Sequence, residues 1–273
     1  DMNELSRQII GATDDKQYCD IGNIIPDGRT EIKDKKLIEL KNIYLSKGRI
    51  LKLNGISMTL NSSEIIGICG VEGNGQAEIT DIICGFNKKF TGEFISNANE
   101  ISIVPDDRLK KGMIKEFSVG ENILLRDKSK KIFSRNILDE TENNISKEFD
   151  LRIPYTGTPM QYLSGGNQQK AIVAREVTQN SDVILFAHPT RGVDIKASSF
   201  IYDRIIKLKN EGKGIIIIST DLDELLLLSD VLLVLYKGRF VKQYNLFEIS
   251  EQINSDRNKF LSDIGKYMIG ETA

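Results

Sequence analysis

No apolar run in this chain approaches the roughly 20 residues that a membrane-spanning helix requires. The first residues, Asp1-Met2-Asn3-Glu4, also lack the basic and apolar regions of a secretory signal, so the sequence predicts a cytoplasmic chain. The three cysteines, Cys19, Cys69 and Cys84, are an odd set at no metal-ligand spacing, which argues against a disulfide and against zinc. Charge imbalance is also missing. A formal net charge of -2 gives no reason to expect non-specific binding to nucleic acid or anionic lipid, and charge alone excludes neither. His188 is the only histidine, so histidine general-base chemistry has one candidate. At 273 residues the chain is long enough for one large domain, with or without a subdomain, around a full hydrophobic core.

What the sequence does contain centres on Leu163-Ser164-Gly165-Gly166-Asn167-Gln168-Gln169-Lys170, followed by the amphipathic run Ala171 to Val177. A serine able to cap, two glycines and a polar-to-apolar helix start predict a helix N-terminus whose free N–H groups and positive dipole end form an anion site. About 90 residues earlier, the buried-strand pattern Ile65-Ile66-Gly67-Ile68-Cys69 runs into Gly70-Val71-Glu72-Gly73-Asn74-Gly75-Gln76-Ala77 and then a helix, Glu78 to Ile83. Strand, glycine loop and helix in that order are the setting of a phosphate-binding loop. Here the frame is G-x-x-G-x-G without the usual lysine and hydroxyl, a pattern that a tight turn also produces.

The remaining chain reads as α/β. Leu37 to Ile43, Leu51 to Leu60 and Glu64 to Cys69 predict an antiparallel sheet leading into a buried strand. A short strand pair, Gly92 to Ile95 and Ile101 to Val104, is followed by Pro105-Asp106-Asp107-Arg108 and a mostly helical stretch with a helix start at Ser118 and a helix over Arg135 to Glu148. Lys128, Lys130 and Lys131 carry no aromatic spacing and read as a solvated loop. Asp182 to Ala187 and Gly214 to Ser219 are continuous apolar runs separated by the helical Ala197 to Asn210, as in a parallel sheet with crossovers. A helix over Leu222 to Leu228 and hairpin-like runs at Val231 to Tyr236 and Gly238 to Gln243 close the core. Ile9-Ile10-Gly11-Ala12-Thr13 recurs weakly as Met268-Ile269-Gly270-Glu271-Thr272, a period of about 260 residues that suggests the tail of one repeat followed by a second.

The signature stretch, the glycine loop and Pro189-Thr190-Arg191-Gly192-Val193-Asp194 together resemble the nucleotide-binding domain of ABC transporters. The likeness covers about residues 37 to 245 and is nearer to the second of two tandem ATP-binding domains in bacterial simple-sugar and nucleoside importers. It implies a P-loop NTPase core with a parallel sheet, an N-terminal antiparallel β subdomain and a helical subdomain at about 107–162. That domain would occupy 37–250, with 1–36 as the tail of a preceding domain plus linker and 251–273 as a helical tail. Implied partners are an N-terminal ABC domain of the same protein, transmembrane permease subunits at the cytoplasmic face of the membrane and, indirectly, a substrate-binding protein. A soluble relative working on nucleic acid is disfavoured by the lost site residues and the missing basic stripe.

Six chemical positions depart from the family pattern. Gln76 stands where the resemblance places the phosphate lysine, and Ala77 where it places the magnesium hydroxyl. Asp106 falls near the magnesium-sensing glutamine. Ala187 and His188 replace the acidic pair for magnesium and attacking water, and Thr220 replaces the switch histidine. Phosphoryl transfer is mostly positioning and charge neutralisation, so these losses predict no hydrolysis in cis and no metal site. His188 is either a replacement base or a polar packing residue; with no lysine or metal carboxylate beside it, packing is favoured. By resemblance, domains of this family pair head to tail. Ser164, Gly165, Gly166, Asn167 and Gln168 would then complete the ATP site of the partner, with Gly192, Val193 and Asp194 as the D-loop. ATP would lie mainly in that composite site, and Mg2+ with the partner domain only. The alternative is a scaffold that binds no nucleotide and docks the permease.

Overall fold

A computed structural model describes residues 31–126 and 134–271. The pentapeptide at 9–13, Cys19, most of the expected linker and Lys128, Lys130 and Lys131 lie outside the described residues. The chain separates into two units, one made of the residues up to Ala98 with those from Ile206 onward, the other of Asn99–Ile205.

In the first unit, β1 (Lys33–Lys47) and β2 (Ile50–Ser62) pair antiparallel, and β4 (Thr91–Ser96) adds to the other edge of β1. Leu37, Ile38, Leu40, Ile43 and Leu45 of β1 are buried; the alternation slips at the adjacent Leu37 and Ile38 and again at Asn42, whose φ of 50° marks a bulge held by its N–H on Ser57 Oγ at 2.9 Å. β3 (Ile65–Cys69) is buried at all five positions and lies between β7 (Gly214–Ile218) and β8 (Val231–Tyr236), parallel to both. Coverage on both faces is why these strands read as unbroken isoleucine, leucine and valine runs rather than alternating ones. β9 (Arg239–Asn245) closes the edge antiparallel to β8. Gly67 lets helix α6 (Leu222–Leu228) approach β3: an added Cβ would stand 2.3 Å from Ser229 Oγ and 3.1 Å from Leu225 Cδ2. At the entry to β3, Lys209 is 1% exposed and donates to Asp230 at 2.6 Å, while Asp230 also accepts from Ile65 N–H at 2.8 Å. Two further helices, α7 (Ser250–Ser255) and α8 (Arg257–Ile269), end the described chain.

The second unit holds a parallel pair, β5 (Ile101–Val104) with β6 (Val183–Ala187), and its helices. A short π turn (Arg108–Gly112) precedes α2 (Val119–Leu124), which starts in a capping box: Ser118 Oγ accepts from Glu121 N–H at 3.2 Å and Glu121 Oε2 from Ser118 N–H at 2.7 Å. α3 (Arg135–Glu148) packs on α2 at Gly120, whose absent Cβ would lie 2.7 Å from the Leu138 carbonyl. The buried Glu142 of α3 reaches the backbone N–H groups of Gly120 and Gly157 at 3.2 and 2.9 Å. A single 3₁₀ turn (Met160–Tyr162) leads into α4 (Gly165–Val177), and α5 (Ile195–Asn210) follows β6. Arg126, at the end of α2, pairs with Glu176 of α4 and with Glu100 at 3.0 Å, tying the helical segment to α4 and to the entry of β5.

One sequence expectation fails. Thr91–Ser96 and Ile101–Val104 do not pair with each other: β4 belongs to the antiparallel sheet of β1, whereas β5 runs parallel to β6. Local alternation cannot separate a hairpin from two strands that part at Asn97, and Asn97 N–H on Leu37 O at 2.9 Å seals β4 to β1 at that point.

Candidate functional site

The glycine loop begins where β3 ends. Gly73 and Gly75 have φ of 90° and 120°, values that an L side chain rarely adopts. A Cβ at Gly75 would also stand 2.8 Å from Leu53 Cδ2. Asn74 holds the loop to the turn after β8, accepting from Lys237 N–H at its side chain and from Gly238 N–H at its carbonyl, both at 2.8 Å. Helix α1 (Gln76–Ile83) starts at Gly75 with no side-chain cap, so its first N–H groups point into the loop unclaimed by a capping oxygen. Gln76, the helix's first residue, folds back and donates from Nε2 to Gly70 O at 3.0 Å and Val71 O at 2.9 Å. Its Oε1 is buried without a partner. Ala77 is exposed and offers only a methyl group. The loop therefore has the backbone of an anion nest, but neither a cation nor a hydroxyl at its two chemical positions.

The other positions to which the resemblance assigns hydrolysis lie as follows. Asp106 is engaged by Lys111 at 2.9 Å; partial burial opposes ionisation, but that hydrogen bond and charge hold its carboxyl below the usual aspartate range. Ala187 ends β6 nearly buried, and His188 follows it half-buried at φ 50°, opening a turn in which Arg191 N–H bonds to the His188 carbonyl at 3.2 Å. Thr220 is exposed, and the neighbouring Asp221 caps α6 by accepting from the N–H groups of Asp223 and Glu224. Among the described residues no group of three His, Cys, Asp or Glu side chains could hold a metal ion. With a glutamine filling the loop and a methyl at the hydroxyl position, these residues do not fit a magnesium-dependent phosphoryl-transfer site, and no catalytic step is derived through them.

The signature stretch is differently made. Ser164 is the N-cap of α4, exposed, with its Oγ accepting from Asn167 N–H at 3.4 Å and from Asn167 Nδ2 at 3.0 Å. Two acceptor bonds use both lone pairs, so the hydroxyl proton is left to donate outward, the polarity that a phosphate oxygen requires. Asn167 is itself fixed by the Arg152 N–H on its Oδ1 at 3.0 Å, and Gln168 is tied to the carbonyls of Met160 and Leu163 at 3.0 and 3.1 Å. Gly166 faces Asp194 and Ala197: an added Cβ would stand 3.1 Å from both Asp194 Oδ2 and Ala197 Cβ. Asp194 in turn accepts from Ala197 N–H at 3.0 Å at the start of α5. Gly192, Val193 and Asp194 thus form a turn beside the signature glycines, with Val193 N–H on Thr190 O at 3.1 Å.

One residue here is missed by sequence reasoning. Arg108 donates to the Arg191 carbonyl at 3.0 Å, and its guanidinium occupies the space that a Cβ on Gly165 would need, at 2.8 Å. Its Nε is buried without a partner. A cation against a helix N-terminus opposes the helix dipole, so this contact is held by packing and by the carbonyl rather than by the field. Its place in Pro105-Asp106-Asp107-Arg108 was the only available signal, and nothing in that tetrapeptide distinguishes it.

The family model described as "ABC transporter" matches residues 53–191. A guanosine import ATP-binding protein of Bacillus subtilis is 34% identical over 236 residues, covering 80% of this chain and 44% of the relative. A nucleoside import ATP-binding protein of Lactococcus lactis is 35% identical, covering 74% and 44%. A ribose import ATP-binding protein of Clostridium perfringens is 33% identical over 270 residues, covering 92% and 52%. The chain spans about half the length of these curated relatives. Among solved structures, a nucleotide-free ATP-binding cassette from an ABC transporter superposes with a TM-score of 0.67 at 22% identity, covering 81% of this chain and 96% of that one. An ATP-binding subunit of an ABC transporter gives 0.70 at 18%, covering 85% and 99%. The α/β cassette fold, with its antiparallel β subdomain and helical segment, is shared with these structures.

Proposed function

The chain belongs to the ABC transporter family, and from that premise we propose that it is the activating half of a composite ATPase that energises import of nucleosides or simple sugars. It would be the second of two tandem ABC domains, peripheral to the membrane at its cytoplasmic face and docked on permease subunits that receive cargo from a binding protein. Its own loop does not hydrolyse ATP. Ser164, with Gly165 and Gly166 behind it, closes the ATP and Mg2+ site built on the glycine loop of the partner domain.

The observation that carries this reading is the contrast between two anion-facing helix starts in one chain. At α1, Gln76 turns inward onto Gly70 and Val71 and no charged or hydroxyl group replaces it. At α4, the Ser164 hydroxyl oxygen accepts twice from Asn167, and no acceptor among the described residues takes its proton. In the complete ATP-binding protein, Ser164→Arg or Gly165→Asp should abolish hydrolysis measured as phosphate release, because either side chain fills the space a γ-phosphate would take. Hydrolysis undiminished in both variants would sink the proposal.

A second reading is a scaffold that binds no nucleotide. It is favoured by the same Gln76 contacts, since a loop whose carbonyls are already satisfied needs no ligand to hold its shape.

A further inference from the structure

Beside the signature cap, within the second unit, lies a cleft of about 210 Å³. That is smaller than the roughly 300–1,000 Å³ of a complete small-molecule site, and suits one wall of a shared site. Its lining includes Ser164, Asn167, Arg152, Lys170, Lys196 and Asp150, together with Asp194 near Gly166.

The charges separate into committed and uncommitted groups. Lys170 is spent on Asp150, at 3.1 Å from both its carbonyl and its carboxylate, and its ammonium stands 4.5 Å over the Phe200 ring. Asp194 is spent on the first turn of α5. Arg152 and Lys196 remain. Both are exposed, and neither side chain makes a hydrogen bond or ion pair with a described residue. Their charges act through space on Asp150, whose carboxyl is held below the ordinary aspartate range first by the Lys170 hydrogen bond and charge and then by these two cations. Two such cations thus share a cleft with a serine at a helix N-terminus whose hydroxyl proton no described residue accepts. Each of these features favours an anion: the three cations outnumber the two carboxylates Asp150 and Asp194 in the lining, and the helix N-terminus adds its dipole.

We propose that Arg152 and Lys196 grip the polyphosphate of the nucleotide that Ser164 closes over, which makes them affinity-determining residues of the composite site. This inference rests on the reading above. The partner's loop would hold the phosphates from one side, and this pair would neutralise the oxygens on the other.

The test uses the complete ATP-binding protein with Arg152→Gln, Lys196→Gln, the double variant and Ser164→Arg. Kd for a non-hydrolysable ATP analogue is measured by equilibrium titration at two ionic strengths, alongside kcat and KM. The double variant should raise Kd and KM by about tenfold and flatten their dependence on salt, with the loss falling on affinity rather than on turnover. Arg152→Lys and Lys196→Arg, which keep the charge, should restore most of the affinity. If Kd and its salt dependence do not move in the double variant while Ser164→Arg abolishes hydrolysis, the inference is overturned and the composite-site reading stands. If Ser164→Arg leaves hydrolysis intact, the reading falls and takes this inference with it.

Discussion

Gln76 carries no charge and has two amide hydrogens, and both go to carbonyls of its own loop. A lysine in that position brings a full charge to a phosphate; the glutamine leaves its Oε1 buried and unmatched instead, a local cost of about 1–3 kcal/mol by the usual worth of an orphaned acceptor. Glu64 is a second residue whose setting decides its chemistry. Burial is the main effect and raises its carboxyl pKa, with the nearby Asp230 adding to the rise and the Asn61 hydrogen bonds and Lys209 opposing it. The folded state therefore binds this proton more tightly than the unfolded chain, so stability from this group is full below the ordinary glutamate pKa and declines as pH rises through the raised value. Glu64→Gln retains the oxygen that accepts from Asn61 and removes the titration. Chemical denaturation of the variant and the parent between pH 4 and 7.5 should show the parent losing stability relative to the variant as pH rises; parallel curves would show that the carboxyl does not titrate with folding.

Elements follow their local signals wherever the signal is chemical rather than periodic. The capping box at Ser118 is such a case, with both reciprocal bonds formed. Ser118→Ala should cost about 1 kcal/mol in urea unfolding, and Ser118→Asp, which keeps an acceptor, should recover most of it. The helices over Arg135–Glu148 and Leu222–Leu228 have the bounds that the sequence predicts, since cap residues mark their starts. The buried strands Val183–Ala187 and Gly214–Ile218 were legible from unbroken apolar runs. What the sequence hid was pairing: nothing between Thr91 and Val104 says that β4 joins β1 while β5 joins β6, because partners are set by distant residues. In the site, Gln76, Ala77, Ala187 and His188 stand out by residue type alone when set beside the family pattern that the chain resembles. Arg108 and the cation pair Arg152 and Lys196 could not, since their meaning lies in what surrounds them and in which carboxylates are already taken.

At the scale of the whole molecule, the competing readings differ in what the chain does with free nucleotide. If the loop at Gly70–Gly75 keeps a working nest, the chain should bind ATP weakly and with little change on adding magnesium, because neither a lysine nor a hydroxyl stands at the two positions after the glycines to engage the metal complex. If the chain is a scaffold, calorimetric titration should give no heat of binding with or without magnesium. Strong magnesium dependence would contradict both. The fold shared with solved cassettes does not decide between them, since a fold accommodates many chemistries and the site alone selects one.

The tether of the glycine loop carries a consequence for motif recognition. Gly75 faces Leu53 and Lys52, an added Cβ at Gly238 would stand 2.3 Å from the Lys52 carbonyl, and Asn74 is laced to the turn at Lys237 and Gly238. These demands come from neighbouring backbone and side chains and would be the same in a protein that never met a phosphate. Gly75 thus records a shape imposed by packing, while Gly73, whose added Cβ would meet nothing within 4 Å, is required by its φ of 90° alone, and the occupant of that shape is written only in the two residues that follow the loop.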